Sequence, residues 1–123
     1  MRRLAIQSRN RYYGQPWRMS AVLVFCTCPD EAVAERIASA LVVERLAACV
    51  NRLPGVASTY RWKGEVCRDN EHLLLIKTTS ERFAALCERI VALHPHELPE
   101  VIAVDIARGL PPYLDWIADE TQP

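Results

Sequence analysis

The period of the hydrophobic positions changes several times along the chain, and each change predicts a new element. Residues 21–26 form a continuous apolar run, which predicts a buried central strand. Pro29 ends this strand, and Asp30 with Glu31 favours a helix N-terminus. The apolar stripe that follows recurs at helical spacing and predicts a helix up to Glu44.

The middle of the chain predicts a long β-hairpin. Residues 47–52 favour a second strand, which a Pro-Gly pair at 54–55 interrupts with a bend or bulge. Strict alternation then resumes up to a Lys-Gly pair at 63–64, which is a turn signal, and residues 65–78 return as the other arm. At roughly 13 residues and ~3.3 Å per residue each arm reaches about 40 Å, well beyond a typical strand.

The last third of the chain predicts a helix, a strand and a second, shorter helix. Ser80 is the expected N-cap of an amphipathic helix that Pro95 ends. Residues 101–107 predict a final strand, and residues 111–121 a C-terminal helix led by two prolines. The order β-α-β-β-α-β is typical of the ferredoxin-like fold, an α+β sandwich of four antiparallel strands with both main helices on one face.

The chain is neutral overall, but its charge is unevenly distributed. Residues 1–18 carry five arginines and no acidic residue, which leaves 10 basic against 15 acidic residues in the remainder. The net negative charge of residues 19–123 argues against a nucleic-acid-binding surface, which is normally basic. No apolar run approaches the ~20 residues that a membrane-spanning helix needs. We expect residues 1–20 to be a disordered extension, or translation to start at Met19, and residues 21–123 to form one cytoplasmic domain.

The predicted sheet has more apolar surface than two helices on one face can cover. Residues 22–25, 73–76 and 101–104 are apolar on both faces of their strands, although an open sheet face is normally polar. The long hairpin arms would also leave unpaired edges. A symmetric oligomer of this chain would bury the open face and pair the arms. A monomer with an apolar sheet face is the alternative.

Candidate chemistry gathers where the first strand ends and the last one begins. If these strands are antiparallel neighbours, Cys26 lies close to Glu100. Pro95 favours an extended His94, so that His94 and His96 point the same way. Thiolate and imidazole are ligands that copper and zinc prefer, which makes these four residues a candidate metal site. The alternatives are a buried strand cysteine, a histidine at a helix end and an exposed glutamate.

Other classes of function find less support in the sequence. Cys26 with His94 or His96 could form a nucleophilic pair, but no orienting third group or oxyanion hole is evident. The chain has no glycine-rich phosphate loop and no serine elbow, so we expect no enzymatic activity. The aromatic residues at positions 60, 62, 113 and 116 could form a stacking platform for RNA, but the central strands carry no interleaved basic residues, so we interpret the aromatic residues as packing.

Taken together, five segments resemble the CutA divalent-cation-tolerance family from about residue 21 to residue 120. They are FCTCPD (25–30), ERLAACVNRLPGVASTYRWKGE (44–65), LIKTT (75–79), HPHELPE (94–100) and GLPPYLDWI (109–117). The resemblance implies a homotrimer of ferredoxin-like subunits, similar to PII signalling proteins, with intersubunit sheets built from the long hairpins. It also implies a link to tolerance of copper and other divalent cations.

The resemblance transfers two of the four candidate ligands directly. Cys26 matches the family's strand-one cysteine, and Glu100 matches the glutamate after the second proline of the HPHELPE segment. The family often has tyrosine at the position of His96, and Leu93 stands where a copper-associated histidine precedes the segment. A copper site in this chain would therefore need His94 or His96 in place of that histidine.

Three functions follow as hypotheses. The first is a cytoplasmic, non-enzymatic homotrimer that binds copper (Cu²⁺) or other divalent cations. The second is a PII-like trimeric signalling protein that holds a small anionic ligand in its intersubunit clefts. Its candidate cations are Arg61, Lys63, Arg68 and Lys77. The third is a structural role in an assembly, without a ligand.

Overall fold

Four strands and three helices follow one another in the predicted order. The computed structural model describes residues 20–123, so the extension predicted at 1–20 lies, except for Ser20, outside the described residues. The elements are β1 (Ala21–Cys28), α1 (Glu31–Val43), β2 (Cys49–Trp62), β3 (Glu65–Thr79), a 3-10 turn (Ser80–Arg82), α2 (Phe83–Leu93), β4 (Ile102–Asp105) and α3 (Pro111–Glu120). Within the described residues, no helix is long and apolar enough to cross a membrane.

The strands form one antiparallel sheet in the order β2-β3-β1-β4. Strand β1 is central, and it pairs with β3 along its whole length. On its other side it pairs with β4, from Val22 opposite Asp105 to Phe25 opposite Ile102. The prediction that the first and last strands are antiparallel neighbours is therefore confirmed, and with it the ferredoxin-like α+β fold.

Helices α1 and α2 pack on one face of the sheet and enclose the main core. Its fully buried members come from β1, β3 and both helices: Val24, Cys26, Cys28, Ala34, Ile37, Leu41, Leu74, Ile76, Leu86 and Ile90. Burial of each large aliphatic side chain contributes about 1.5–3 kcal/mol to folding. Helix α1 begins where the sequence predicts, because the Asp30 carboxylate accepts a hydrogen bond of 2.9 Å from the backbone N–H of Val33.

The other face of the sheet is only partly covered. Helix α3 packs against one end of it, where Ile117 meets Ala21 in a second, smaller cluster. Further along the same face, Phe25 lies between its partners Leu75 and Ile102. Ile102 is 56% exposed, so the prediction of an apolar face left open by a single chain is confirmed.

The β2–β3 hairpin is as long as the sequence predicts, with arms of 14 and 15 residues. The register shifts between Leu53 and Val56, at the predicted Pro-Gly bulge. The tip is a two-residue turn in which Lys63 has φ 49° and Gly64 has φ 83°. Two positive φ angles are typical of a type I′ turn, whose twist matches that of the flanking strands.

Several predicted boundaries are wrong, and strand β2 begins at Cys49 rather than at residue 47. Ser80 does not cap α2. It begins a 3-10 turn, and α2 starts at Phe83 without a side-chain cap. Strand β1 runs on to Cys28, because β3 continues to pair with it there. Strand β4 is limited to Ile102–Asp105, because its partner β1 begins at Ala21 and the pairing ends with a bond from Ile106 N–H to the Ala21 carbonyl.

Candidate metal centre

Two cysteines near the end of β1 share the helix-covered face of the sheet. Cys26 and Cys28 are two residues apart in a strand, so their side chains point to the same side. Pairing with Leu74 and His72 of β3 fixes their register. Both residues are fully buried, and neither forms a disulfide.

The C-terminal end of α2 brings an imidazole to the same place. His94 is the C-cap of this helix and has an extended backbone (φ −82°, ψ 135°), as the following proline favours. Its Nε2 lies 2.8 Å from the carbonyl oxygen of Thr27, and its Nδ1 lies 3.1 Å from the backbone nitrogen of His96. Since a backbone N–H can only donate, we assign Nδ1 as the acceptor and Nε2–H as the donor to Thr27.

Cys26, Cys28 and His94 together offer three donor atoms that lie within 4.8 Å of one another, and all three residues are buried. A tetrahedral cation with bonds of about 2.0–2.3 Å would hold such atoms about 3.3–3.8 Å apart. The group would therefore have to contract by up to about 1–1.5 Å around a bound ion. Two sulfurs and one imidazole nitrogen suit copper and zinc, so the residues fit a borderline or soft cation.

The two thiols differ in their acidity. A hydrogen bond with Cys28, followed by burial, raises the pKa of Cys26 far above its ordinary value. The same hydrogen bond lowers the pKa of Cys28, against the opposing effect of burial. Cys28 is therefore the thiol of the pair that loses its proton first.

The other two predicted ligands lie beside this group rather than in it. His96 and Glu100 are exposed, although the ring of His96 lies 4.7 Å from that of His94, centroid to centroid. The negative charge of Glu100 contributes to the raised pKa of Cys26. The structure thus brings Cys26 and His94 together, while a role for His96 or Glu100 as ligand stays a prediction.

Cys28 is the donor that the sequence analysis did not include. The signal was present in the Cys-Thr-Cys pattern, because residues i and i+2 of a strand share a face. It was missed because the apolar run predicts that β1 ends at Cys26, which would leave Cys28 in a loop.

A cleft of about 740 Å³ lies next to this group, between the β2–β3 hairpin and the segment 95–100. It is lined by Thr27, Ser58, Thr59, Tyr60, Trp62, Glu71 and the six residues of that segment. Three carboxylates face it, and its lining contains neither lysine nor arginine. At its rim, Lys63 at the hairpin tip forms an ion pair of 3.6 Å with Glu97.

The four cations predicted to hold an anion do not converge within one described subunit. Lys63 pairs with Glu97, and Lys77 forms a hydrogen bond with Asn51. Arg68 lies nine residues before Lys77 on β3, a separation of roughly 30 Å at ~3.3 Å per residue. An anion site that uses all four would have to be completed by another chain, and it stays a prediction.

Comparison with known proteins gives consistent matches. Residues 22–120 match the family described as CutA1 divalent ion tolerance protein. A divalent-cation tolerance protein CutA from Thermus thermophilus is 56% identical over 99 residues, which are 80% of this chain and 96% of that protein. Protein CutA from Mus musculus is 48% identical over 103 residues, 84% of this chain but only 58% of the mouse protein.

Solved structures agree with these sequence matches. The crystal structure of CutA1 from Oryza sativa is similar to this fold with a TM-score of 0.82 at 40% sequence identity. The match covers 85% of this chain and 96% of the rice chain.

Proposed function

Because this chain belongs to the CutA1 divalent ion tolerance family, we propose that it binds a divalent cation through Cys26, Cys28 and His94. The observation that carries the proposal is the spacing of their three donor atoms, within 4.8 Å of one another in a buried position. Soft and borderline donors select copper and zinc over magnesium and calcium. Copper (Cu²⁺) is the cation that we propose.

His94 would bind the cation through Nδ1. Of its two hydrogen bonds, the one from Nε2–H ends on the carbonyl of Thr27, which is held within β1. The other comes from the backbone N–H of His96 in the exposed segment after α2, and is the easier one to give up. The bond to Thr27 would then remain and orient the ring, as outer-shell partners of metal-binding histidines do.

The role of the bound cation is storage or signalling rather than catalysis. All three proposed ligands are buried, so a bound ion would be largely screened from solvent. We therefore propose a non-enzymatic protein of the cytoplasm whose affinity for the cation underlies tolerance. The chain itself supplies the ligands, their orientation and the exclusion of water.

We also propose that the protein is a homotrimer. Two features support an assembly of identical chains: the uncovered apolar sheet face around Phe25 and Ile102, and hairpin arms whose outer halves are largely exposed. Further copies of the chain would cover this face and pair the arms. Light scattering should give three times the 14.0 kDa chain mass, and a monomer mass would contradict the proposal.

Cation titration tests the proposed site. We expect reduced protein to bind one Zn²⁺ per chain as the redox-inert probe, and one copper ion per chain in the absence of oxygen. The double variant Cys26→Ala, Cys28→Ala should lose this binding, whereas Cys87→Ala, which removes a thiol on α2, should keep it. Unchanged stoichiometry and affinity in the double variant would reject the assignment.

A further inference from the structure

His72 shares the helix-covered face of the sheet with the two buried thiols. It is the residue of β3 directly opposite Cys28 of β1, and it lies two residues from Leu74, a fully buried member of the main core. Residues opposite each other in an antiparallel pair project to the same side, with their Cβ atoms about 4.5–5.5 Å apart. The imidazole of His72 therefore projects beside the thiol of Cys28.

One ring nitrogen of His72 has no partner. Its Nδ1 atom is buried, and within residues 20–123 it makes no hydrogen bond, whereas buried polar atoms in folded proteins are usually paired. The homotrimer proposed above covers the opposite face of the sheet. His72 also lies in the part of β3 that pairs with β1, not in the outer hairpin. A ligand held beside Cys28 would give this nitrogen its partner.

The donors of Cys26, Cys28 and His94 leave a tetrahedral cation one ligand short. Structural zinc sites are almost always closed by four protein ligands, and two sulfurs with two imidazoles are a common set. Copper also accepts three strong ligands in a trigonal arrangement. A fourth donor from the chain therefore matters more for zinc than for copper.

The second imidazole of such a set has two candidates, because the chain has three histidines. His96 is exposed, and its backbone N–H bonds to the Nδ1 of His94 that the cation would take. His72 is instead held in a paired strand opposite Cys28. Its ring lies outside the group of three close donor atoms, so a rotation of the side chain would have to bring Nδ1 to the cation.

We propose that His72 is the fourth ligand of the site when the site holds Zn²⁺. The inference rests on the proposed cation site formed by Cys26, Cys28 and His94. Nδ1 of His72 would close a tetrahedral set of two sulfurs and two imidazole nitrogens around zinc, whereas copper would be held by the other three residues alone. His72 is thus a specificity-determining residue, which strengthens the binding of zinc and not that of copper.

X-ray absorption spectroscopy of the zinc-loaded protein counts these ligands. We expect two sulfurs and two imidazoles per zinc in the parent protein, and two sulfurs and one imidazole in His72→Ala. The zinc affinity of this variant should fall by about a hundred-fold or more, since loss of an outer-shell partner alone costs about 10–100-fold. Its copper affinity should stay unchanged. His72→Cys places another donor at this position and should restore zinc binding with three sulfurs, which a merely structural role of His72 would not produce.

The matched control is His96→Ala, which removes the exposed imidazole and should leave two imidazoles on zinc. One imidazole per zinc in the parent protein, or a count lowered by His96→Ala and not by His72→Ala, would overturn this inference and leave the thiol site intact. An equal loss of zinc and copper affinity in His72→Ala would overturn its role in specificity. Zinc bound to the parent protein without sulfur would reject the thiol site itself, and with it the role of His72.

Discussion

The Nε2 atom of His94 lies 2.8 Å from the carbonyl oxygen of Thr27. This bond connects the C-terminal end of α2 to β1 at the residue between the two buried thiols. It fixes the ring against the strand and, through the proton that it requires on Nε2, leaves Nδ1 as the acceptor. The contact therefore contributes both to the fold and to the proposed cation site.

Replacement of His94 should affect stability and cation binding together. His94→Ala removes the imidazole hydrogen bond to the Thr27 carbonyl, and we expect the free energy of unfolding to fall by about 2 kcal/mol. Copper affinity should fall as well, because one of three ligands is lost. His96→Ala is the control: its ring is exposed, so stability should change by less than about 0.5 kcal/mol. Denaturant unfolding and copper titration of both variants measure these effects, and equal behaviour of the two would contradict the assigned roles.

The Tyr60 phenol should ionise later than an ordinary tyrosine. Its hydrogen bond to the Asp69 carboxylate raises the pKa of Tyr60 to about 12, from a usual 10.0. The carboxylate favours the neutral phenol, so Asp69→Asn should bring this pKa back down. Ultraviolet absorbance of phenolate against pH measures it, with Tyr60→Phe identifying its share of the signal. A midpoint near 10 in the parent protein would show that the hydrogen bond is absent in solution.

The tip of the hairpin should depend on glycine at position 64. Gly64 has φ 83°, and a Cβ built there meets nothing within 4 Å, so the cost of substitution lies in the backbone alone. Gly64→Ala should lower the free energy of unfolding by about 1 kcal/mol, and Gly64→Asn by less, since asparagine tolerates this region better. Thermal unfolding of the two variants measures both changes in stability. Unchanged stability in the alanine variant would exclude the type I′ turn.

The open sheet face should control assembly. Val104 on β4 is 49% exposed and lies on that face beside Leu23. A buried charge in an apolar interface is costly, so Val104→Asp should shift the protein toward the monomer in light scattering. Val91→Asp places the same charge at a 60% exposed position on α2 and should leave the mass unchanged. If the variant Val104→Asp stayed trimeric and dissociated at the same protein concentration as the parent protein, the interface would have to lie elsewhere.

The sequence is informative about this fold because each element has its own hydrophobic period. The alternation of side chains between the two strand faces up to Trp62, with the Lys-Gly pair after it, predicts the hairpin. The apolar residues at helical spacing that end before Pro95 predict α2. The cap of α2 could not be predicted in the same way. Ser80 has the side chain of an N-cap, but the backbone enters the helix through a 3-10 turn that no local pattern indicates.

For the candidate site, the sequence predicts the neighbourhood but not the ligand geometry. The antiparallel pairing of β1 and β4 follows from topology and explains why Cys26 and Glu100 are close. The engagement of both nitrogens of His94 depends on the path of the backbone after Pro95, which sequence patterns do not specify.

X-ray absorption spectroscopy of the copper-loaded protein tests the central claim most directly, because it counts the atoms bound to the metal. The account predicts two sulfur scatterers and one imidazole nitrogen per copper. It further predicts that Cys28→Ala reduces the sulfur count to one, while Cys87→Ala leaves it at two. A first shell of oxygen and nitrogen alone, or a spectrum unchanged by Cys28→Ala, would contradict the site formed by Cys26, Cys28 and His94.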